Sequence, residues 1–414
     1  MFGLRARWAL ICIACAAAAG LVGFATPEET KARFDAHVDV QIGQAFNVLD
    51  IPASGVVATP SADGKVHVLA LMPADHRLVH VVIGQDGVES REVALERAER
   101  EQGILSSPGP YNNLAAGFDA EGTLHVVFRE QHLSWRDSRW SLPQKGPPCE
   151  RLVRAGALLH CLFRETGGEL SASRRLQWYF VPPLPVPIPL PQRNTKLLVA
   201  CRHATGWAPW AVIEPEMDRD VTAFDAAGDH AGSLHLVYLG GSTLSGLGGL
   251  VMTAHAPAVD PCDASLAGKP LLAVPGQSSR FVVGRGTISI GTDPQSGHSR
   301  VVLASDYGPI SFTVSDGVIA NKASGFWKRD PLREDFHGVQ IRAADGGRFH
   351  AMIATSRGDS RYTFYASGAW TPLVQLFDTP PAFLVAAPDG RALVAARSAD
   401  KKHVVAKWLQ VTAK

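Results

Sequence analysis

The chain lacks most of the signatures from which cofactor and metal chemistry are built. Past its first 25 residues it has no C-x-x-C, so a structural zinc site is not expected. No G-x-S-x-G elbow, P-loop, G-x-G-x-x-G after a strand or calcium loop of EF-hand spacing occurs, and no haem or flavin motif. The common cofactor enzymes are thereby set aside, and no cofactor or metal is expected. Charge of one sign is missing as well. The balance is 40 Lys+Arg against 39 Asp+Glu, which gives no field for nucleic acid or an acidic membrane surface. Helix-like composition is confined to Glu89–Gln102, which reads as a short loop helix or an irregular outer strand. What the chain does have is 39 glycines and 28 prolines, the composition of many short strands joined by tight turns.

Residues 1–25 have the layout of a secretory signal. Arg5 and Arg7 precede an apolar run from Trp8 to Ala25, with Gly23 and Ala25 as small residues before Thr26. Retention as an anchor is the alternative, since the run nearly spans a bilayer. No other segment is long and apolar enough to cross, so residues 26–414 are expected as one periplasmic or secreted, monomeric domain. Two of the six cysteines leave with the signal. Of the remaining four, Cys149 and Cys161 flank a hairpin centred near Ala155-Gly156. That favours a Cys149–Cys161 disulfide and leaves Cys201–Cys262 as the second pair.

An internal repeat organises the rest. Each unit has an apolar strand, a turn rich in Asp and Gly, and a strongly β-prone second strand. The second strands read KVHVLAL after Asp63-Gly64, TLHVVF after Gly122, ALLHCLF from Gly156, SLHLVY after Gly232, HSRVVLA after Gly297, RFHAMIA after Gly347 and RALVAA after Gly390. Third strands follow from Arg77, Leu133, Leu176, Gly249, Ile310, Arg361 and His403. Seven such units predict an all-β, seven-bladed β-propeller, with six or eight blades as the alternatives. The last unit lacks an outer strand, and His37–Gly43 (HVDVQIG) would supply it and close the ring. The run Val181–Gln192 (VPPLPVPIPLPQ) predicts a polyproline II excursion from the third unit.

His67, His125, His160, His235 and His350 occupy one repeated position on the second strands. Residues repeated around a ring cannot converge on one substrate, so the expected role is structural, with a ring N–H donated to a carbonyl of a neighbouring strand or loop. His76 and His80, four apart without an intervening Glu, make no zinc-protease signature.

The D-x-x-G turn, the G-x-L-H-V-V-F strand and the L-x-W strand together resemble the sialidase-like and BNR-type propellers of secreted bacterial glycan-active proteins. The resemblance covers most of residues 26–414 and implies the propeller fold. It also implies glycan binding or cleavage. The Asp-box S-x-D-x-G-x-T-W is absent; its nearest stretch is Ser305–Gly308.

A ligand is expected on the face carrying the second-to-third loops and the connectors between units. Arg129, Glu130 and His132, then Arg164 and Glu165, then Asp306 and Tyr307, then Arg357 lie on the loops. Arg329, Asp330 and His337 lie on a connector. Arginines and aromatics suit sugars or anionic glycans. Glu130 with Glu165 could serve as acid and base, or Tyr307 with His132 could abstract a proton. Solvated loop charge is the plain alternative. The expected function is non-enzymatic binding of a glycan or protein partner. A sialidase-like hydrolase or lyase, or a cell-envelope scaffold, are the alternatives.

Overall fold

A computed structural model describes residues 30–31, 36, 38–50, 53, 55–72, 77–96, 114–128, 130–166, 176–181, 184–189, 195–203, 206–208, 211–213, 221–240, 250–256, 287–304, 310–315, 318–324, 336–355, 357–400 and 402–413. The described residues form strands and turns only, in a β-propeller arrangement. In chain order, sheet 1 holds β4 (Gly55–Pro60), β5 (Val66–Met72), β6 (Arg77–Gly84) and β7 (Gly87–Leu95). Sheet 2 follows with β8 (Leu114–Phe118), β9 (Leu124–Phe128), β10 (Gln131–Arg136), β11 (Arg139–Trp140) and β12 (Gln144–Lys145). Sheet 3 is led by β13 (Arg151–Ala155), β14 (Leu158–Thr166) and β17 (Thr195–His203). Sheet 4 has three described strands, β20 (Val221–Gly228), β21 (Leu234–Gly240) and β22 (Leu250–Ala256). Sheet 5 is led by β23 (Thr287–Thr292), β24 (Ser299–Ala304), β25 (Ile310–Ser315) and β26 (Val318–Ser324). Sheet 6 is led by β27 (Phe336–Ala344), β28 (Arg348–Thr355) and β29 (Ser360–Ala366). Sheet 7 is led by β32 (Pro381–Ala386), β33 (Ala392–Arg397) and β34 (Val404–Ala413). Six of these sheets carry four or five strands and stand as blades.

The repeat explains the packing. Second strands such as β5 and β9 are buried along their whole length, because both faces of a blade lie against neighbours. Val66, Val68, Ala70 and Met72 of sheet 1 pack with Leu393, Ala395 and Trp408 of sheet 7, while Leu69 and Leu78 pack with Leu124 and Val126 of sheet 2. First strands of consecutive sheets lie side by side from β4 and β8 through β13, β20, β23 and β27 to β32. The turns between first and second strands therefore gather at one end of the molecule, and the second-to-third loops at the other.

Four sequence expectations are resolved or change in detail. The Glu89–Gln102 segment is strand β7 as far as Leu95, paired along β6, and residues 97–102 lie outside the described set. The Pro-rich run is not polyproline II over its described part. β15 (Leu176–Val181) and β16 (Leu184–Pro189) form an antiparallel hairpin between β14 and β17. Pro185, Pro187 and Pro189 stand two apart, so their missing N–H groups all fall on one side of the strand, and Leu184, Val186 and Ile188 supply the ladder. The third strand of sheet 3 is consequently β17, not the segment from Leu176. The Cys149–Cys161 disulfide is present with Cα atoms 5.5 Å apart, but not as a directly opposed pair. The hairpin register sets Cys161 opposite Leu152, and Cys149 reaches it from just before β13. Cys262 lies outside the described residues.

At the N-terminal side, β2 (Val38–Ile42) pairs antiparallel with β34, and β3 (Phe46–Leu49) joins the same strand nearer its start. β1 (Thr30–Lys31) adds in parallel to β26 of sheet 5, and the Ala36 N–H donates to the Trp370 carbonyl of sheet 6. Residues 1–25, where a secretory signal is expected, lie outside the described residues.

Candidate functional site

The first turns of sheets 2 and 4 share one construction. The Asp119 carboxylate accepts from the Glu121 and Thr123 amides at 2.9 and 2.8 Å, and the Asp229 carboxylate accepts from the Ser233 amide at 2.8 Å. Each then takes a second-strand imidazole, His125 Nε2 at 2.9 Å and His235 Nε2 at 3.0 Å. Burial opposes ionisation of both carboxyls, but the histidine and amide donors outweigh it and hold them below the usual carboxylate range. The repeated histidines are thus scaffold, as expected. At His67, His125 and His235 a side chain takes the place of the anticipated carbonyl, whereas His350 makes a backbone bond at Gly390 in the turn of neighbouring sheet 7.

In sheet 1 a buried chain runs from His67 Nδ1 to His80 Nε2 at 2.9 Å, and from His80 Nδ1 to Glu92 Oε1 at 2.8 Å. Trp140 of sheet 2 donates Nε1–H to the same Glu92 oxygen at 3.0 Å. Burial, then the neighbouring His80, pushes His67 down to about 4, so the ring is neutral near pH 7. Since the carboxylate takes the His80 Nδ1–H, His80 Nε2 accepts from His67. In sheet 2 the order reverses: His132 Nε2 donates to His125 Nδ1 at 2.9 Å, and His125 passes its Nε2–H to Asp119. His350 Nδ1 meets the Tyr362 hydroxyl at 2.7 Å, and His160 Nδ1 faces Cys201 Sγ at 3.4 Å.

The turns enclose the mouth of the space between the first strands. A cavity of about 950 Å³ opens there, lined by turn residues of sheets 1, 2, 3, 4, 5 and 7. Lys65, Glu89 and Arg154 supply charge, and Phe118 and Trp135 supply aromatic surface. Lys65 and Glu89 pair at 2.8 Å while both stay solvent-exposed. The rim is cross-linked, with the Gly156 N–H donating to the Asp229 carbonyl and the His230 N–H to the Pro294 carbonyl, both at 2.8 Å. Gly156 (φ 56°) lies so close to Gly232 that an added Cβ would stand 3.0 Å from the Gly232 Cα, which ties the turns of sheets 3 and 4 together.

The sequence candidates fall at the opposite end or outside the described residues. Arg129, Asp306, Tyr307, Arg329 and Asp330 are outside them, and Glu165 and His337 are described in backbone only, on β14 and β27. Glu130 is an exposed turn residue with φ 62°. Arg164 is engaged at its own loop, its Nε and Nη2 donating to Glu150 at 3.0 and 2.7 Å. Arg357 is exposed. His132 is not on the loop face as a base: its ring is 3% exposed, bonded to His125, and pushed by burial and Arg202 to about 3.

A second polar cluster went unnoticed in the sequence. Arg151 of β13 donates Nε–H to Asp225 Oδ1 at 2.8 Å, and Arg342 Nη1 stands 3.5 Å from Asp225 Oδ2. Ser289 Oγ–H donates to Asp225 Oδ2 at 2.6 Å and accepts the Ile341 amide at 3.1 Å. Gln340 Oε1 accepts the Leu384 amide at 2.7 Å. These bonds join the first strands of sheets 3 to 7 through groups that a sheet edge would leave unpaired. Burial disfavours a charged Asp225, but Arg151 and Arg342, with Ser289, hold its carboxyl below the usual range. The signal available in the sequence was position. Asp225 and Ser289 each stand four residues before the turn aspartate, where sheets 2 and 7 carry Ala115 and Val385.

No protein-family model matches the chain, and no curated protein matches it. Solved structures do. The chain is similar to the polysaccharide lyase Uly1 at a TM-score of 0.52 and 8% identity, over 94% of each chain. It is similar to a chain of the Mitotic Checkpoint Complex at 0.51 and 10% identity, over 94% of this chain and 98% of the other. The β-propeller domain of Myceliophteria thermophila Cps50 gives 0.49 and 11%, over 89% and 99%. At such identities the likeness concerns the fold alone.

Proposed function

We propose that this is an exported binding propeller of seven blades that holds a polar ligand, a glycan in the first instance, in the cavity ringed by its first turns. Sheet 4 is counted as the blade with fewest described strands, and β2 as the outer strand of the last blade. Supporting that count, β20 lies between β13 and β23 as the other first strands lie between theirs, and β32 lies against β4. Export is supported by the Cys149–Cys161 disulfide, which suits an oxidising compartment, and by the layout of residues 1–25.

The observation that carries the binding reading is the cavity itself. Its volume of about 950 Å³ is that of a small-molecule or oligosaccharide site, and aromatic surface there stands beside exposed charge. Binding is favoured over acid–base chemistry because Asp119 and Asp229 are committed to turn amides and to histidines. A glycan array, followed by calorimetry on Lys65→Ala and Arg154→Ala, tests this. Both exposed changes are expected to weaken binding about tenfold, the worth of one charge-assisted bond. Unchanged binding in both, with loss in Arg357→Ala, would move the site to the loop face. Turnover of the bound glycan would favour a sialidase-like hydrolase or lyase.

A further inference from the structure

Among the described residues, one cluster on the wall of the central channel carries more positive charge than it neutralises. Arg151, Asp225, Ser289 and Arg342 come from the first strands of sheets 3, 4, 5 and 6. Sheets 4 and 6 are not neighbours, so Arg342 reaches Asp225 only past the channel-facing side of β23, where Ser289 lies between them. Two guanidiniums thus share one buried carboxylate, and the group bears a net charge of +1. Asp225 is 2% exposed in its side chain, whereas Arg151 and Arg342 keep 33% and 27% of theirs open. The contacts of Arg342 to the Ile341 carbonyl, Ser289 and Asp225 all run through Nη1, at 2.7, 3.4 and 3.5 Å. The open part of its planar fork is the geometry that binds oxyanions in two-pronged fashion.

We propose that Arg151 and Arg342 form an oxyanion site in the channel, taking a carboxylate or sulfate group that is either free or carried by a glycan. The site lies three residues along β13 and β20 from the cavity residues Arg154 and Gly228, or ~10 Å at the rise of a strand. A ligand seated in the cavity can therefore extend its anionic group to the channel wall. This part rests on the cavity reading, and it narrows the ligand class to acidic glycans. Burial, then repulsion from Arg151, pushes Arg342 down to about 10, so it remains charged at neutral pH while gaining from an added anion. Asp225 sets the orientation of both arginines and leaves one positive charge for the ligand.

The test is calorimetry on the full chain with glucuronate, inorganic sulfate and glucose. Glucuronate and sulfate are expected to bind and to raise the unfolding midpoint, with glucose far weaker. Arg342→Gln and Arg151→Gln should each weaken the anions at least about tenfold, while Arg154→Ala leaves sulfate unchanged. Circular dichroism verifies that the variants fold. If they do not, a selenate soak of wild-type crystals decides, with density expected beside Arg151 and Arg342. Anion binding that survives both glutamine variants, or a wild-type soak with no selenate there, overturns the proposal. Glucose oligomers binding as well as glucuronate, with dependence on Arg154 alone, would overturn the channel site and leave the cavity reading standing. Sulfate binding that depends on Arg342, with no glycan bound, would support the channel site and remove the cavity reading.

Discussion

The seam between sheets 1 and 2 and the wall shared by sheets 3 to 6 both bury polar side chains between blades. At the seam the connecting groups are neutral rings: His67 bonds His80, and His80 and Trp140 meet on Glu92, with Trp135 packed edge-on against both histidines. Along the wall they are charges, Arg151 and Arg342 on either side of Asp225. One chemistry depends on keeping protons off, the other on keeping ions paired. Two blade interfaces of one repeat should therefore fail under different conditions.

The wall should break most sharply by mutation. Asp225→Asn leaves Arg151 and Arg342 facing each other without a counter-charge, at a cost on the order of 3–5 kcal/mol. Urea denaturation would register this as a lower midpoint, and a loss under 1 kcal/mol would mean that solvent already screens the pair. Acid should break the seam instead. His67 titrates at about 4 in the folded protein and near its ordinary value when unfolded, so the unfolded chain binds the proton first. Its contribution is full above about pH 6.5 and is lost as the pH falls toward 4, a change of ~3 kcal/mol. Unfolding midpoints from pH 7.5 to 4.5 should fall less in His67→Gln than in the wild type. Equal slopes would show that other groups carry the acid sensitivity.

Reducing the Cys149–Cys161 bridge gives a baseline away from the histidine seam, although Cys149 Sγ touches the Arg151 carbonyl at 3.2 Å. Its short loop predicts a loss of about 2–3 kcal/mol with no dependence on pH between 5 and 7. The smallest effect belongs to Trp140→Phe, which keeps the ring at the seam and removes its donor to Glu92, costing ~1 kcal/mol. If it costs nothing, the seam is held by packing alone.

Repetition decided what could be read in advance. The turn aspartates and second-strand histidines recur, so β5, β9, β21 and β28 were legible, as was the pairing of residues near 38–42 with the last strand. β17 was not, because an inserted hairpin with a strand-like sequence, LQWYFV, stood where the third strand was due. The channel cluster was illegible as a motif. Arg151, Asp225, Ser289 and Arg342 are spread over four strands and meet only because consecutive first strands line one wall. The cavity was missed for a related reason. Tight turns read as structural punctuation, and only their convergence at one end makes them a rim.

The pairing of Val40 with Val411 has a consequence for the order of assembly. The segment at the outer edge of sheet 7 precedes its partner strand in the chain and meets it only after all the chain between them exists. Closing so long a loop is among the slowest steps available to a chain, and its cost is recovered only once sheet 7 has formed. Until then β34 would present an open edge able to recruit a strand from another molecule. Assembly should thus end with the pairing of β2 on β34, and β2 should be the first to come away when the protein unfolds.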